Sequence, residues 1–136
     1  MSSSLLMRGP ARRALALSLA AAAVAGVAGA ATGCTGASSN PRVIAQRMLA
    51  QRGWSSQWAC LEALWTRESG WNVHARNASS GAYGIPQALP ASKMVASGPD
   101  WVNNPATQIA WGLGYIGARY GGPCGAWNHS QATGWY

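Results

Sequence analysis

The sequence predicts one mainly α-helical domain of modest size. Two Asn-Pro pairs, Asn40-Pro41 and Asn104-Pro105, combine an N-cap residue with proline at the first helical position. Apolar residues then recur at helical spacing, and the sequence has no long alternating pattern of the kind that marks a β-strand. Of the 136 residues, about 100 follow an N-terminal export segment, which is enough for one domain with one core.

Residues 1–33 are predicted to be an export signal of the secretory or lipoprotein type. Arg8, Arg12 and Arg13 precede the apolar run ALALSLAAAAVAGVAGAA, and small residues follow it, as in a secretory signal. A transmembrane helix is the alternative, because the run is near the minimum length for spanning, but its Ala and Gly residues make it weakly apolar. We therefore expect a secreted or cell-envelope protein.

The three cysteines divide into a pair and a single residue. Cys60 and Cys124 lie in the domain, and in an oxidising compartment such a pair predicts a disulfide. Cys34 follows the apolar run and resembles the lipid-modified cysteine of bacterial lipoproteins, although Ala31 stands where leucine is usual. Cys34 is thus a candidate for lipidation, and cleavage after Ala30 or Ala31 would instead leave a free thiol. Membrane attachment is expected only if Cys34 is lipidated.

Residues 34–40 are small and polar and are predicted to be a linker, with the domain at residues 41–136. Four helices are predicted within the domain. They start at Pro41, at Ser55 or Ser56, at Pro90 and at Pro105, and they end at Gly53, just after Glu68, at Gly98 and at Gly121. Residues 72–84 are polar and irregular, as in a long loop or small hairpin, and residues 123–136 have no clear period.

The charge balance points to a partner outside the cell. Residues 34–136 carry seven Lys or Arg and three acidic residues, a net charge of +4. A basic exported domain favours anionic polymers such as the peptide stems and teichoic acids of a wall. Nucleic acid is not an expected partner, because the basic residues are scattered singly without a recognition motif. His74 and His129 have no Cys or His partner at ligand spacing, so we expect no metal and no cofactor.

Glu68 is the acidic residue best placed for catalysis. It lies roughly 30° from the mean direction of the large apolar residues on the second helix, whereas Glu62 lies about 90° away. A carboxyl group held against Leu64 and Trp65 is partly desolvated, which raises its pKa as a general acid requires, and the helix dipole acts in the same direction. Alternatively, Glu68 pairs with an Arg and faces solvent. We expect Glu62 to be a solvated flank residue and Asp100 to serve in a turn or cap.

The segment RESGWNVHARNASSGAYGIPQ resembles the active-site segment of lytic transglycosylases of the soluble-lytic-transglycosylase, goose-lysozyme-like family. The matching elements occur in the family's order, as Glu68-Ser69, Trp71-Asn72, Ser80-Gly81-Ala82 and Gly84-Ile85-Pro86-Gln87. The similarity extends weakly to Ala126-Trp127-Asn128, which resembles the family's Ala-Tyr-Asn segment. It implies a lysozyme-like α+β fold, a compact helical domain with a small irregular or hairpin lobe after the catalytic helix.

The resemblance also implies roles for single residues. Glu68 would be the catalytic acid and then base, Ser69 would orient Glu68 or the substrate, and Gln87 would bind the sugar chain near the cleaved bond. Trp127 replaces a tyrosine whose hydroxyl supports the glutamate in the family, and an indole N–H can donate a hydrogen bond but cannot accept one. Further substrate contacts are expected from Tyr83, Trp71, Asn128 and His129.

Eight tryptophans are many for this length. Flat aromatic faces stack on sugar rings, so the candidates for lining a groove are Trp71, Trp101, Trp127 and Trp135. Trp58, Trp65 and Trp111 are expected in the core.

Members of the family cleave peptidoglycan glycan strands with one glutamate, because the substrate's acetamido group assists, and they leave a 1,6-anhydro sugar. Most glycosidases instead use two carboxylates. The resemblance thus implies a monomeric murein lytic transglycosylase. A hydrolytic muramidase and a non-catalytic peptidoglycan-binding wall protein are the alternatives.

Overall fold

The structure, a computed structural model, describes residues 38–136. The predicted export signal, the lipidation candidate Cys34 and most of the predicted linker lie outside the described residues. Within residues 38–136, no helix is both long and apolar enough to cross a membrane.

The described chain is mostly helical, which confirms the predicted fold class. In chain order the elements are α1 (Pro41–Gln51), a 3₁₀ turn (Ser55–Gln57), α2 (Trp58–Ser69), a 3₁₀ helix (Ala91–Ser97), α3 (Pro105–Tyr120) and α4 (Pro123–Thr133). Between α2 and the 3₁₀ helix the chain forms a small irregular lobe, in which Tyr83 makes isolated β-bridges to Arg76 and Ala88.

Two of the predicted helix starts are confirmed by their caps. The side chains of Asn40 and Asn104 each accept a hydrogen bond from the backbone N–H two residues ahead, at 3.0 and 2.8 Å. The prediction that Ser55 or Ser56 caps the second helix is wrong, because both residues lie in the 3₁₀ turn. Gln57 precedes α2 without a side-chain cap, and its Oε1 instead accepts from Cys124 N at 3.0 Å.

Helix α4 was not predicted from the sequence. Its buried residues are Pro123, Ala126 and Ser130, which are too small and too few to produce an apolar stripe. The helix is formed because Pro123 occupies the first helical position and this small-residue face packs closely on α2.

Helices α2 and α4 run side by side in the same direction. The predicted disulfide between Cys60 and Cys124 is confirmed, with the two Cα atoms 5.0 Å apart near the start of both helices. Near their ends, Arg67 Nη1 donates to Ser130 O at 3.1 Å. The disulfide and the Arg67 hydrogen bond each join residues at similar positions along the two helices. Together they fix the end of α2 against α4.

One apolar core joins the four helices to the lobe. Its members are Ala45, Leu49, Leu61, Leu64, Trp65, Trp71, Ile85, Ile109, Leu113, Ile116 and Ala126. Gly112 allows a close approach within it, since a Cβ atom there would lie 2.7 Å from the Trp65 ring and 3.0 Å from Pro86. Helix α3 therefore packs directly on the end of α2 and on the segment that follows the lobe.

Candidate active site

Glu68 lies in the last turn of α2, which ends with Gly70 in the left-handed conformation at φ 59°. Its side chain is half-buried. Burial raises the pKa of the Glu68 carboxyl above its ordinary value, and the nearby charge of Arg67 opposes this only in part. Among residues 38–136 no ion pair reaches Glu68, and Arg67 donates to α4 instead. The structure thus favours the desolvated carboxyl over the solvent-facing pair.

Ser69 ties the end of α2 to the segment after the lobe, residues 84–87. Its Oγ donates to Ile85 O at 2.8 Å and accepts from Trp71 N at 3.1 Å. The hydroxyl is therefore committed to backbone partners on both sides. Its effect is to fix Glu68 relative to the 84–87 segment.

Gln108, on α3, holds the same segment from the other side and was not predicted from the sequence. Its side chain is fully buried. Oε1 accepts from Ile85 N at 2.9 Å, and Nε2 donates to the carbonyl groups of Val73 and Trp101 at 2.9 and 2.8 Å. A polar residue directly before Ile109 on the apolar face of α3 was the signal that could have revealed it, since buried polar groups need partners.

Gln87 lines the pocket described below and has its amide nitrogen bonded within the protein. Its backbone is in the left-handed region at φ 50°. Its Nε2 donates to Gly84 O at 2.9 Å and to Ala75 O at 3.2 Å, and because both partners are carbonyl groups the amide nitrogen must face them. Within the described chain, Oε1 is left as an acceptor for a hydroxyl or amide N–H of a ligand.

Tyr136, which was also not predicted from the sequence, joins α2 to the segment after the lobe. Its hydroxyl accepts from Trp65 Nε1 at 2.8 Å and donates to Pro86 O at 2.8 Å. Burial raises the pKa of Tyr136 well above its ordinary value; the Trp65 bond opposes this, and the negative charge of Glu68 adds to it. The hydroxyl therefore lies within electrostatic reach of Glu68 and bridges α2 to the 84–87 segment.

The expectation that Trp71 stacks on a sugar is corrected by its burial. Its side chain is only 4% exposed. Its ring centroid lies 5.6 Å from that of Trp58 and 5.3 Å from that of Trp65. The Arg42 guanidinium lies 5.2 Å from its centroid. A ring enclosed by these groups has no free face for a ligand.

Four other predicted contact residues occupy more accessible places, and their substrate roles stay predictions. Trp127 is half-buried against the core, and Asn128 is exposed on α4. The His129 ring lies 4.6 Å from that of Trp135. Tyr83 uses its hydroxyl within the lobe region, where it donates to Val102 O at 3.0 Å.

A pocket of about 170 Å³ opens next to this site. Its lining includes Gln87, Lys93, Trp111, Tyr115, Arg119 and Tyr136. The rings of Trp111 and Tyr115 are stacked, with centroids 5.4 Å apart and planes inclined by 10°. Trp111 was expected in the core, and this prediction is wrong because the ring is half-buried and lines the pocket.

The remaining two acidic residues are engaged elsewhere. Asp100 accepts from Asn104 Nδ2 at 2.6 Å and from Thr107 Oγ1 at 2.7 Å. These bonds confirm the prediction that Asp100 serves in a turn or cap, here before α3. These two bonds lower the pKa of Asp100. Glu62 is not simply solvated as expected, because it accepts from Arg42 Nε at 2.9 Å with 34% of its side chain exposed.

A compact, mainly helical domain with one desolvated carboxyl group at the end of a central helix belongs to the lysozyme-like class. Residues 47–133, more than half of the chain, match the model of the family described as "Transglycosylase SLT domain", and the chain belongs to this family. No curated protein and no solved structure gives a significant match. Family membership supports peptidoglycan cleavage of the lytic-transglycosylase type.

Proposed function

We propose that this protein is an exported murein lytic transglycosylase that cleaves the bond between N-acetylmuramic acid and N-acetylglucosamine. The observation that carries the proposal is the state of Glu68, a half-buried carboxyl with a raised pKa and no ion-pair partner among residues 38–136. Such a group holds its proton closer to neutral pH than an ordinary glutamate, which general acid catalysis requires.

Glu68 carries out both proton transfers. As an acid it donates its proton to the glycosidic oxygen, and the bond from that oxygen to C1 of the muramic residue breaks. The substrate's acetamido group stabilises the cation at C1. The Glu68 carboxylate then removes the proton of the C6 hydroxyl as O6 bonds to C1. Glu68 is thereby reprotonated, no water is consumed, and the product is a 1,6-anhydro sugar.

The placement of the acidic residues supports this route over a two-carboxylate one. The chain has three acidic residues in all. Asp100 is held by Asn104 and Thr107. Glu62 is paired with Arg42, and it lies six residues before Glu68 on α2, about 9 Å along the helix axis and on another face. Neither Asp100 nor Glu62 is therefore placed to act with Glu68 on one bound sugar. Glycosidases that use two carboxylates require both to flank the cleaved bond.

Three residues position the reacting groups. Ser69 and Tyr136 fix the 84–87 segment against α2 through Ile85 O and Pro86 O. The Tyr136 hydroxyl bridges Trp65 and Pro86 O and lies within electrostatic reach of Glu68, so we assign to Tyr136 the supporting role that the family resemblance placed at Trp127. Gln87 accepts a hydrogen bond from the glycan through Oε1.

Mass spectrometry of the fragments released from purified peptidoglycan tests the proposal. Anhydro-muropeptides are the expected product. Reducing-end fragments, one water heavier, would instead identify a hydrolytic muramidase. Binding to peptidoglycan without release of any fragment would identify a non-catalytic wall protein.

Export and the assembly state belong to the same proposal. We place the mature chain in the cell envelope or outside the cell, as a monomer acting on glycan strands. The disulfide between Cys60 and Cys124 supports an oxidising compartment. Cell fractionation and mass spectrometry of the mature N-terminus would test this and would detect a lipid on Cys34.

A further inference from the structure

The pocket beside Gln87 combines two cations with an aromatic wall. Lys93, on the 3₁₀ helix, and Arg119, near the end of α3, both line it, together with the stacked rings of Trp111 and Tyr115. Gln87 and Tyr136 belong both to this lining and to the candidate active site. A glycan bound at Glu68 would therefore extend along or into the pocket.

Neither Lys93 nor Arg119 makes an ion pair with another residue of the 38–136 range. None of the three acidic side chains lines the pocket: Glu62 pairs with Arg42, Asp100 is bonded before α3, and Glu68 lies at the end of α2, within electrostatic reach of Tyr136. Among residues 38–136 the only ion pair is the one between Arg42 and Glu62. The pocket lining therefore carries two cationic side chains and no Asp or Glu side chain.

The Arg119 guanidinium lies close to two aromatic rings, although the residue is exposed. Its Cζ atom lies 5.9 Å from the ring centroid of Trp135 and 6.0 Å from that of Tyr120, within the range of cation–π attraction. An arginine fixed against aromatic faces loses less side-chain entropy on binding and presents a planar fork that fits a carboxylate.

We propose that the Lys93–Arg119 pocket binds a carboxylate carried by the muramic residue of the glycan. This inference rests on the proposed function. Two sources share this chemistry: the lactyl carboxylate of a stem-free muramic residue, and the acidic residues of an attached peptide stem. Because the pocket shares Gln87 and Tyr136 with the active site, we place the anion on the bound sugar chain itself.

Calorimetric titration of Lys93→Gln and Arg119→Gln tests the inference, each combined with Glu68→Gln so that strands are not cut. The titrants are stem-free glycan strands, stem-bearing strands and chitin oligosaccharides, which lack carboxylates. Each pocket variant is expected to weaken binding of either the stem-free or the stem-bearing strand about 3- to 10-fold. This is the effect of losing one partly exposed charge-assisted hydrogen bond. Chitin binding should not change. Arg47→Gln removes an equal charge from an exposed site on α1 and is the control.

The pattern of losses identifies the source. A loss with stem-free strands identifies the lactyl carboxylate, and a loss only with stem-bearing strands identifies the peptide stem. Equal losses with chitin and with the anionic strands, no loss with either strand, or the same loss in Arg47→Gln would overturn the inference. A wild-type protein that cuts no glycan but shows the expected pattern would refute the proposed function and leave the pocket assignment standing.

Discussion

The two carboxylates Glu68 and Asp100 lie near opposite kinds of helix end. Glu68 is in the last turn of α2, where the helix dipole is negative, and burial raises its pKa. Asp100 lies just before α3, where the dipole is positive, and its bonds to Asn104 and Thr107 lower its pKa. The same functional group is thus kept ready to donate a proton at one site and held ionised at the other.

The difference lies in the partners that each site provides. Asp100 is exposed and accepts from two side chains, so its charge is stabilised by donors. Around Glu68 the available donors are used elsewhere, since Ser69 bonds Ile85 O and Tyr136 bonds Pro86 O. Those bonds shape the surroundings of Glu68 without solvating its charge. The Glu68 carboxyl is left desolvated because the neighbouring donors are directed away from it.

Removing the disulfide would have the largest effect on the fold that supports both sites. The bond closes a loop across a sequence separation of 64, so its loss is expected to lower the free energy of unfolding by about 4 kcal/mol. Thermal unfolding with and without reductant measures this. The double variant Cys60→Ser with Cys124→Ser should melt lower and no longer respond to reductant. An unchanged melting temperature of the reduced wild type would contradict the prediction.

Exchanging each carboxyl for its amide would sharpen the contrast in activity. Glu68→Gln keeps the shape of the side chain but cannot supply a proton, so release of muropeptides is expected to fall roughly 100-fold or more. Asp100→Asn and Glu62→Gln should stay within a few-fold of the wild type. Full activity of Glu68→Gln, or loss of its activity through unfolding, as seen by circular dichroism, would refute the assignment.

Tyr136 allows the environment of Glu68 to be changed without touching the carboxyl. Tyr136→Phe leaves Trp65 Nε1 and Pro86 O without their shared partner, which should lower stability by about 1–3 kcal/mol. We also expect kcat to fall about 10-fold with little change in KM, because the 84–87 segment loses a tie to α2. Tyr120→Phe is the control, since the Tyr120 hydroxyl takes no part in the bridge from Trp65 to Pro86 O. Equal effects of the two variants would argue against a positioning role.

The sequence predicted those features that depend on local signals. Helices α1 and α3 carry their own Asn-Pro caps, and the direction of Glu68 follows from the helical period of its neighbours. Helix α4 was missed because its buried face is made of small residues. Gln108 and Tyr136 were missed because all but one of their partners lie 23 to 71 residues away in sequence, and only the packed fold brings such groups together.

The smallest expected effect, and the most direct test of the comparison, is the pH dependence of stability in the two amide variants. The raised pKa of Glu68 means that the unfolded chain releases this proton first as the pH rises, so the wild type loses stability between the ordinary glutamate pKa and the raised one. Glu68→Gln should therefore match the wild type in acid and melt slightly higher at neutral pH, by a small margin because solvent screens a half-buried group.

The pKa of Asp100 is lowered, so its charge stabilises the fold above the ordinary aspartate pKa, and that stabilisation is lost as the pH falls through the lowered pKa. Asp100→Asn should thus melt below the wild type at neutral pH, with a deficit that shrinks in acid. Melting curves from about pH 3 to about pH 7, which span the ordinary carboxyl range, measure both differences. Differences of the same sign at neutral pH, or differences that do not vary with pH, would show that the two helix ends do not act oppositely on their carboxylates.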